Sequence, residues 1–337
     1  MISLAIFGAG FMGGAHAASY VALGERVRVR TVASRSPDRA AKVAEALGAE
    51  PTTDLEAAVS DPEVEAVDIC LPSPLHREWA ERALEAGKHV FVEKPIALTA
   101  EDADAIVQAA ARGDQVLMVG LVLRFWPEYV ELQRRVASGE LGRPLSVSTH
   151  RLSPPIDWND WMADPKQSGG VPVDMLVHDF DQMNWLLGQP RRVFAREPRL
   201  GHVQALVEYD GAVALAEGSV AMPRSYPFSS NIRVLCEGGA AEYAFSAAPV
   251  EGEGNIGASE SARGLRVFPN EGPAATIPVE SADPWGPELA YFVECVERGR
   301  PPEQGTGEQA REALLVSLAA NRSLESGQPT RVQPLVD

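Results

Sequence analysis

The chain opens on MISLAIFGAGFMGGAHAASY, and no other stretch restricts the possible folds as much. Ile2–Phe7 is a short apolar run ended abruptly by glycine, which reads as a buried parallel strand. Gly8-Ala9-Gly10-Phe11-Met12-Gly13 follows, then a small-residue helix over 15–23 and a second strand over 27–33. Strand, glycine loop, helix and strand in this order form a unit that binds dinucleotides. Gly8 permits the tight turn, Gly10 lets a pyrophosphate approach the backbone, and Gly13 lets helix and strand pack closely. The helix N-terminus then turns unpaired amides and a positive dipole end toward the phosphates. Phe11 and Met12, inside the loop, join the three glycines as cofactor contacts.

The alternation continues with helices over 39–47, 76–86 and 100–111 and strands over 64–71, 88–92 and 116–119. Repeated βα units imply a parallel, doubly wound sheet of the Rossmann type, here assigned to residues 1–121. Ligands of such sheets sit over the carboxyl ends of the strands. That rule places Leu71, Pro72 and Ser73, and likewise Glu93, Lys94 and Pro95, beside the cofactor. His76 either touches the cofactor or caps the start of its helix. The second strand ends in Ala33-Ser34-Arg35, with Asp38 the nearest acid. A hydroxyl and a guanidinium suit a 2′-phosphate better than a free ribose hydroxyl, so NADP is favoured over NAD.

At 337 residues the chain exceeds one ordinary core, so a second domain over 122–337 is expected. Its net charge of −17 argues against a nucleic-acid partner, because phosphate backbones need a basic surface. No apolar run approaches the roughly 20 residues of a membrane span. No basic start with a cleavage site precedes the first strand, so a cytoplasmic address is expected. Cys70, Cys236 and Cys295 are too scattered for a disulfide framework, and the histidines and cysteines do not cluster at metal-ligand spacings.

Four segments together resemble the glucose-fructose oxidoreductase and inositol dehydrogenase family, Gfo/Idh/MocA. They are GAGFMG at 8–13, LPSPLHREWAERALEAGKHVFVEKPIALT, SGGVPVDMLVHDFDQMNWLLG at 168–188, and ERGRPPEQGTGEQAREALLVSLAANRSLESGQP. The resemblance implies that Lys94 lies at the nicotinamide and substrate, before a proline whose peptide bond is often cis. It also implies a C-terminal α+β domain with a large, mostly antiparallel open sheet, and a homodimer or homotetramer packed through that sheet. The residues agree with an α+β second half. A helix over 127–137 precedes extended runs over 145–151, 203–209, 213–221, 231–237 and 241–245. Asp210-Gly211 and Gly238-Gly239 supply hairpin turns, and 247–264 reads as a loop.

After Gly169-Gly170, the run 173–187 has helical period. At 100° per residue Asp174, His178, Asp181 and Trp185 share one face, beside an apolar face of Val173, Val177, Phe180 and Leu187. Asp174 and His178 match the D-x-x-x-H of the inositol dehydrogenase branch, where histidine is the general acid/base. On that resemblance His178 takes the hydroxyl proton as hydride leaves carbon, Lys94 stabilises alkoxide character, and Asp174 positions the substrate hydroxyl. Asp179 projects away and reads as structural. Arg124 resembles a family segment lining the substrate cleft, and Asp157, Trp158 and Trp161 form a loop suited to covering a sugar ring. Trp285-Gly286-Pro287-Glu288-Leu289 departs from the family's YxxEL, which removes a possible hydroxyl contact. His16, His89, His150 and His202 receive no role.

The expected activity is NAD(P)-dependent oxidation of a secondary alcohol on a sugar, inositol or related cyclic polyol, or the reverse reduction. The alternatives are a dihydrodiol dehydrogenase-like enzyme and a catalytically silent NADP-binding regulator or scaffold.

Overall fold

The structure, a computed structural model, describes residues 1–155, 160–247, 264–279 and 283–332. The chain divides into two compact units, Met1–Phe125 with Ala282–Arg311, and Trp126–Ser281 with Glu312–Asp337.

The first unit is the alternating half. Its elements run β1 (Ile2–Phe7), α1 (Phe11–Ala22), β2 (Val27–Ala33), α2 (Pro37–Leu47), β3 (Glu50–Thr52) and α3 (Leu55–Ser60). They continue with β4 (Ala66–Ile69), α4 (His76–Glu85), β5 (His89–Val92), α5 (Ala100–Ala110) and β6 (Leu117–Val119). All neighbouring strands pair in parallel, in the order β3-β2-β1-β4-β5-β6. This is the doubly wound dinucleotide-binding order, with its switch point between β1 and β4. Strand β1 is apolar but for Ser3 because helices cover both faces of such a sheet, leaving Leu4, Ala5, Ile6 and Phe7 with no exposed surface. Helix α1 starts at Phe11, four residues earlier than its small-residue run predicts, since the glycine loop itself winds into the first turn.

Helix α11 (Gly286–Arg298) completes this unit. Its Leu289, Phe292 and Val293 are fully buried in one cluster with Ile2, Leu4, Ile6 and Phe91. Phe292 meets Phe91 edge-on at 5.6 Å between ring centroids. Each such side chain contributes about 1.5–3 kcal/mol of burial, which outweighs the modest cost of closing the long intervening loop. The expected division at 121/122 therefore differs from the observed one in two ways. The first unit runs on to Phe125, and 282–311 returns to it. An amphipathic period announces a helix with one apolar face but not which core will take that face.

The second unit begins with α6 (Pro127–Ala137), followed by β7 (Pro144–Leu152) and three short helices, α7 (Asp160–Ala163), α8 (Pro165–Ser168) and α9 (Gly170–Asp174). Helix α10 (Val177–Leu187) leads into β8 (Arg192–Arg199), β9 (His202–Tyr209), β10 (Ala212–Ser219), β11 (Phe228–Cys236), β12 (Gly239–Ala247), β13 (Leu265–Pro269) and β14 (Ala275–Ile277). Helix α12 (Gly307–Ser326), which starts in the first unit's sequence, and β15 (Thr330–Arg331) close the described chain. The nine strands order as β14-β13-β12-β11-β7-β10-β9-β8-β15, and every pair is antiparallel except β7 with β10. Along β9, Val203, Ala205, Val207 and Tyr209 are buried while the residues between them are not. One face of the sheet is thus covered, and α10 lies on it, with the Tyr209 hydroxyl donating to Asn184 Oδ1 at 2.9 Å.

The two-residue turn at Asp210-Gly211 joins β9 to β10 as expected, with Gly211 at φ +74°. In the β11–β12 hairpin, Cys236 pairs with Gly239, so the turn residues are Glu237 and Gly238 and Gly239 already belongs to the strand. The expected loop over 247–264 lies outside the described residues from 248 to 263.

Candidate active site

In the first unit three loops leave the carboxyl ends of adjacent strands β1, β4 and β5. Gly8–Gly13 follows β1, Leu71–Ser73 follows β4, and Glu93–Pro95 follows β5. The first two loops are pressed together at Gly8, which has φ +107°. A Cβ there would lie 2.3 Å from the Cys70 carbonyl oxygen. A Cβ on Gly13 would lie 2.0 Å from the Gly8 carbonyl oxygen, so glycine is demanded where the loop folds back onto its own helix. Around Gly10, by contrast, a Cβ would meet nothing within 4 Å. Helix α1 starts there with no side-chain cap and no acid in its first turn. Open space over uncapped amides fits the pyrophosphate of a dinucleotide. Phe11 and Met12 are half-buried, and Phe11 meets Trp285 edge-on at 5.8 Å.

The other two loops are tied together by His76. Its Nδ1 lies 2.8 Å from the Pro95 carbonyl oxygen and its Nε2 2.8 Å from that of Leu71. The ring is 1% exposed, and burial holds its pKa below the ordinary histidine value despite the two carbonyls. His76 therefore lies between the two loops, with each ring nitrogen 2.8 Å from a backbone carbonyl oxygen and one N–H to donate when neutral. Leu71, Pro72 and Lys94 are half-buried, Ser73 and Glu93 are buried, and the Lys94–Pro95 peptide bond is cis. The Lys94 amide donates to Glu93 Oε2 at 3.0 Å. At the end of β2, Ser34 is buried and its Oγ accepts from the Ser36 amide at 3.4 Å, while Arg35 is exposed. Arg124 is 5% exposed and donates to Gln304 Oε1 at 2.7 Å.

Behind the glycine loop lies a group that the sequence reading passed over. His16 of α1 places Nδ1 2.8 Å from Asp68 Oδ2 and Nε2 3.1 Å from Glu93 Oε1. Glu288 of α11 is fully buried beside them. Two signals were available: an acid inside the apolar strand β4, and a histidine on the same helical face as Gly13, Ala17 and Tyr20.

In the second unit the run 173–187 is not one helix. The Val171 carbonyl accepts both the Met175 and the Leu176 amides at 3.0 Å, widening one turn and separating α9 from α10. Pro172, with no amide to offer, sits in that turn. Asp174 ends α9 and His178 lies in the first turn of α10, so the shared-face argument at 100° per residue does not apply across them. Within 171–183 every residue but His178 is buried, Asp174 being 7% exposed. His178 is thus the one half-buried side chain of that run. Asp179 receives Arg151 Nε at 2.9 Å in a buried ion pair, which anchors α10 to β7 and accounts for this acid structurally. Trp161, on α7, is half-buried, and Asp157 and Trp158 lie outside the described residues.

The fold and the glycine loop define a nicotinamide-dependent oxidoreductase. A profile described as an oxidoreductase family with an NAD-binding Rossmann fold matches residues 2–121, and one for the GFO/IDH/MocA C-terminal domain matches 129–242. The chain belongs to the Gfo/Idh/MocA family. It is 28% identical to the scyllo-inositol 2-dehydrogenase (NAD(+)) of Bacillus subtilis, over 98% of this chain and 96% of that one. It is 29% identical to the 1,5-anhydro-D-fructose reductase of Ensifer adhaerens, over 90% and 91%. A levoglucosan dehydrogenase solved with NADH and L-sorbose shares the fold, with a TM-score of 0.83 at 21% identity and 99% of each chain covered. Among the described residues no helix is long and apolar enough to cross a membrane.

Proposed function

We propose that the enzyme oxidises a secondary alcohol of a sugar, inositol or related cyclic polyol, or reduces the corresponding ketone. The observation that carries the reading is the Glu93-Lys94-Pro95 turn. It puts a half-buried lysine at the end of the strand beside the Leu71–Ser73 loop, in the unit that carries the glycine loop. The names of the two relatives support a sugar or polyol substrate.

The first unit would hold the dinucleotide with its phosphates over Gly10, Phe11 and Met12, in the loop that Gly8 and Gly13 shape. The bound nicotinamide supplies the acceptor for hydride. Lys94 donates a hydrogen bond to the substrate oxygen and stabilises alkoxide character as the C–H bond breaks. His178 accepts the hydroxyl proton as a neutral imidazole, and Asp174 orients the hydroxyl. The carbinol carbon loses two electrons with the hydride and becomes a carbonyl. A panel of sugars and polyols with NADP and NAD, followed at the reduced nicotinamide, tests this. Turnover of at least one cyclic polyol is expected, and nucleotide binding without turnover of any would leave the silent regulator as the answer.

Ser34 and Arg35 support NADP as the preferred dinucleotide, against the NAD(+) in the name of the Bacillus relative. Exposed Arg35 can fork onto a 2′-phosphate and stack on adenine. Arg35→Ala is expected to raise the Kd for NADPH by about tenfold or more, the worth of one charge-assisted contact, with NADH little changed. A wild-type enzyme that binds NADH more tightly than NADPH would refute the preference.

A cytoplasmic homodimer or homotetramer is the proposed working form. Leu206 and Leu215 are cross-strand partners on the second unit's sheet, and both are at least 40% exposed. Sedimentation at micromolar concentration should return two or four copies, and a monomer would contradict it.

A further inference from the structure

The mechanism leaves unused the most deeply buried polar group in the first unit. His16, Asp68 and Glu288 have no exposed surface and Glu93 has 6%. They come from α1, β4, α11 and the end of β5. The imidazole has an acid on each side, with Asp68 Oδ2 at 2.8 Å from Nδ1 and Glu93 Oε1 at 3.1 Å from Nε2. The second contact is an ion-pair approach rather than an aligned hydrogen bond. Phe91 packs edge-on against the ring at 5.4 Å. Glu93 has little room to turn, since a Cβ on Gly120 would lie 3.1 Å from its Oε1. Its other oxygen accepts the Lys94 amide at 3.0 Å.

We propose that His16 is a positioning residue for Lys94: clamped as an imidazolium between Asp68 and Glu93, it fixes the carboxylate that holds the Lys94 backbone. This rests on the role given to Lys94 above. A neutral ring has one N–H and would leave one of the two acids facing a lone pair, whereas the imidazolium donates to Asp68 and sets a positive charge 3.1 Å from Glu93. Burial works against that charge, but Asp68 and the Cys70 side chain outweigh it and raise the His16 pKa well above its usual value. The other titratable groups facing the ring are all pushed toward their protonated forms. Burial, then Glu93, pushes Glu288 well above the carboxylate range. Burial, then Asp68, pushes up the Tyr20 phenol and the Cys70 thiol. A metal ion among His16 Nε2, Glu93 and Glu288 is the rival occupant, because these atoms lie within 4.8 Å of one another. Such an ion would displace the Nε2 proton, so the two occupants exclude one another.

The test joins kinetics to a readout independent of activity. His16→Gln should lower kcat roughly 10- to 100-fold while the Kd for dinucleotide changes less than about threefold. In a Lys94→Met background the same substitution should cost less than about threefold more, because its effect passes through Lys94. Equal losses in both backgrounds, or full activity in His16→Gln, would overturn the proposal. Histidine-selective 15N spectra of the wild-type protein should show one of the six histidines with both ring nitrogens protonated at pH 8. A neutral buried ring, or a stoichiometric metal in native mass spectra, would overturn it without reference to turnover. If Lys94→Met alone keeps normal turnover, the fault lies with the role given to Lys94, and the spectra still decide the clamp.

Discussion

Lys94→Met should turn over at least ~10²-fold more slowly than the wild type while keeping most of its dinucleotide affinity. Methionine preserves the length and apolar stem of lysine but removes the donor that meets developing negative charge. Losing one such donor costs about 2.7–4 kcal/mol of transition-state stabilisation in oxyanion sites. The loss should fall on kcat and kcat/KM together, as for an interaction made mainly in the transition state. The backbone amide that Glu93 receives remains in the variant, so the turn itself should survive. Binding titrations with reduced dinucleotide and rapid-mixing kinetics would separate the two effects. Near-normal turnover in a folded variant would remove Lys94 from the chemistry.

His178→Asn should lose about 10²–10⁴ in turnover and, with it, one limb of the pH profile. Alcohol oxidation needs the neutral imidazole, so wild-type activity should rise with pH through the His178 pKa and level off above it. Asparagine keeps a polar side chain of similar reach but takes no proton near neutrality. The measurement needs a substrate for which chemistry is rate-limiting, because slow release of dinucleotide would mask both effects. A slow variant that keeps the limb unchanged would make another group the base, with Lys94 the first suspect.

Sequence legibility followed the range of the interactions. The carboxyl-end loops at 71–73 and 93–95 were readable because a βα repeat puts every strand's exit on the same edge. His178 was readable as a motif residue, but its distinction as the half-exposed member of a buried run was not. The place of His76 between the two loops was not readable for the same reason. Its two partners, the carbonyls of Leu71 and Pro95, are backbone atoms that no residue type announces.

The sequence by itself determined the dinucleotide-binding unit. Its signals are local: the spacing of Gly8, Gly10 and Gly13 between an apolar run and a small-residue helix, and the βα alternation that follows. The same holds for the strand alternation of the second unit, where a period of two marks the covered face. Tertiary structure alone decided that α11 returns to the first core and that Val171 accepts two amides and breaks the helix at Met175-Leu176. It alone brought together His16, Asp68, Glu93 and Glu288, which lie far apart along the chain. Periodicity sorts each segment into buried and exposed faces, but which buried faces meet depends on packing between distant segments. The same packing raises the pKa of His16 and of Glu288 well above their ordinary values.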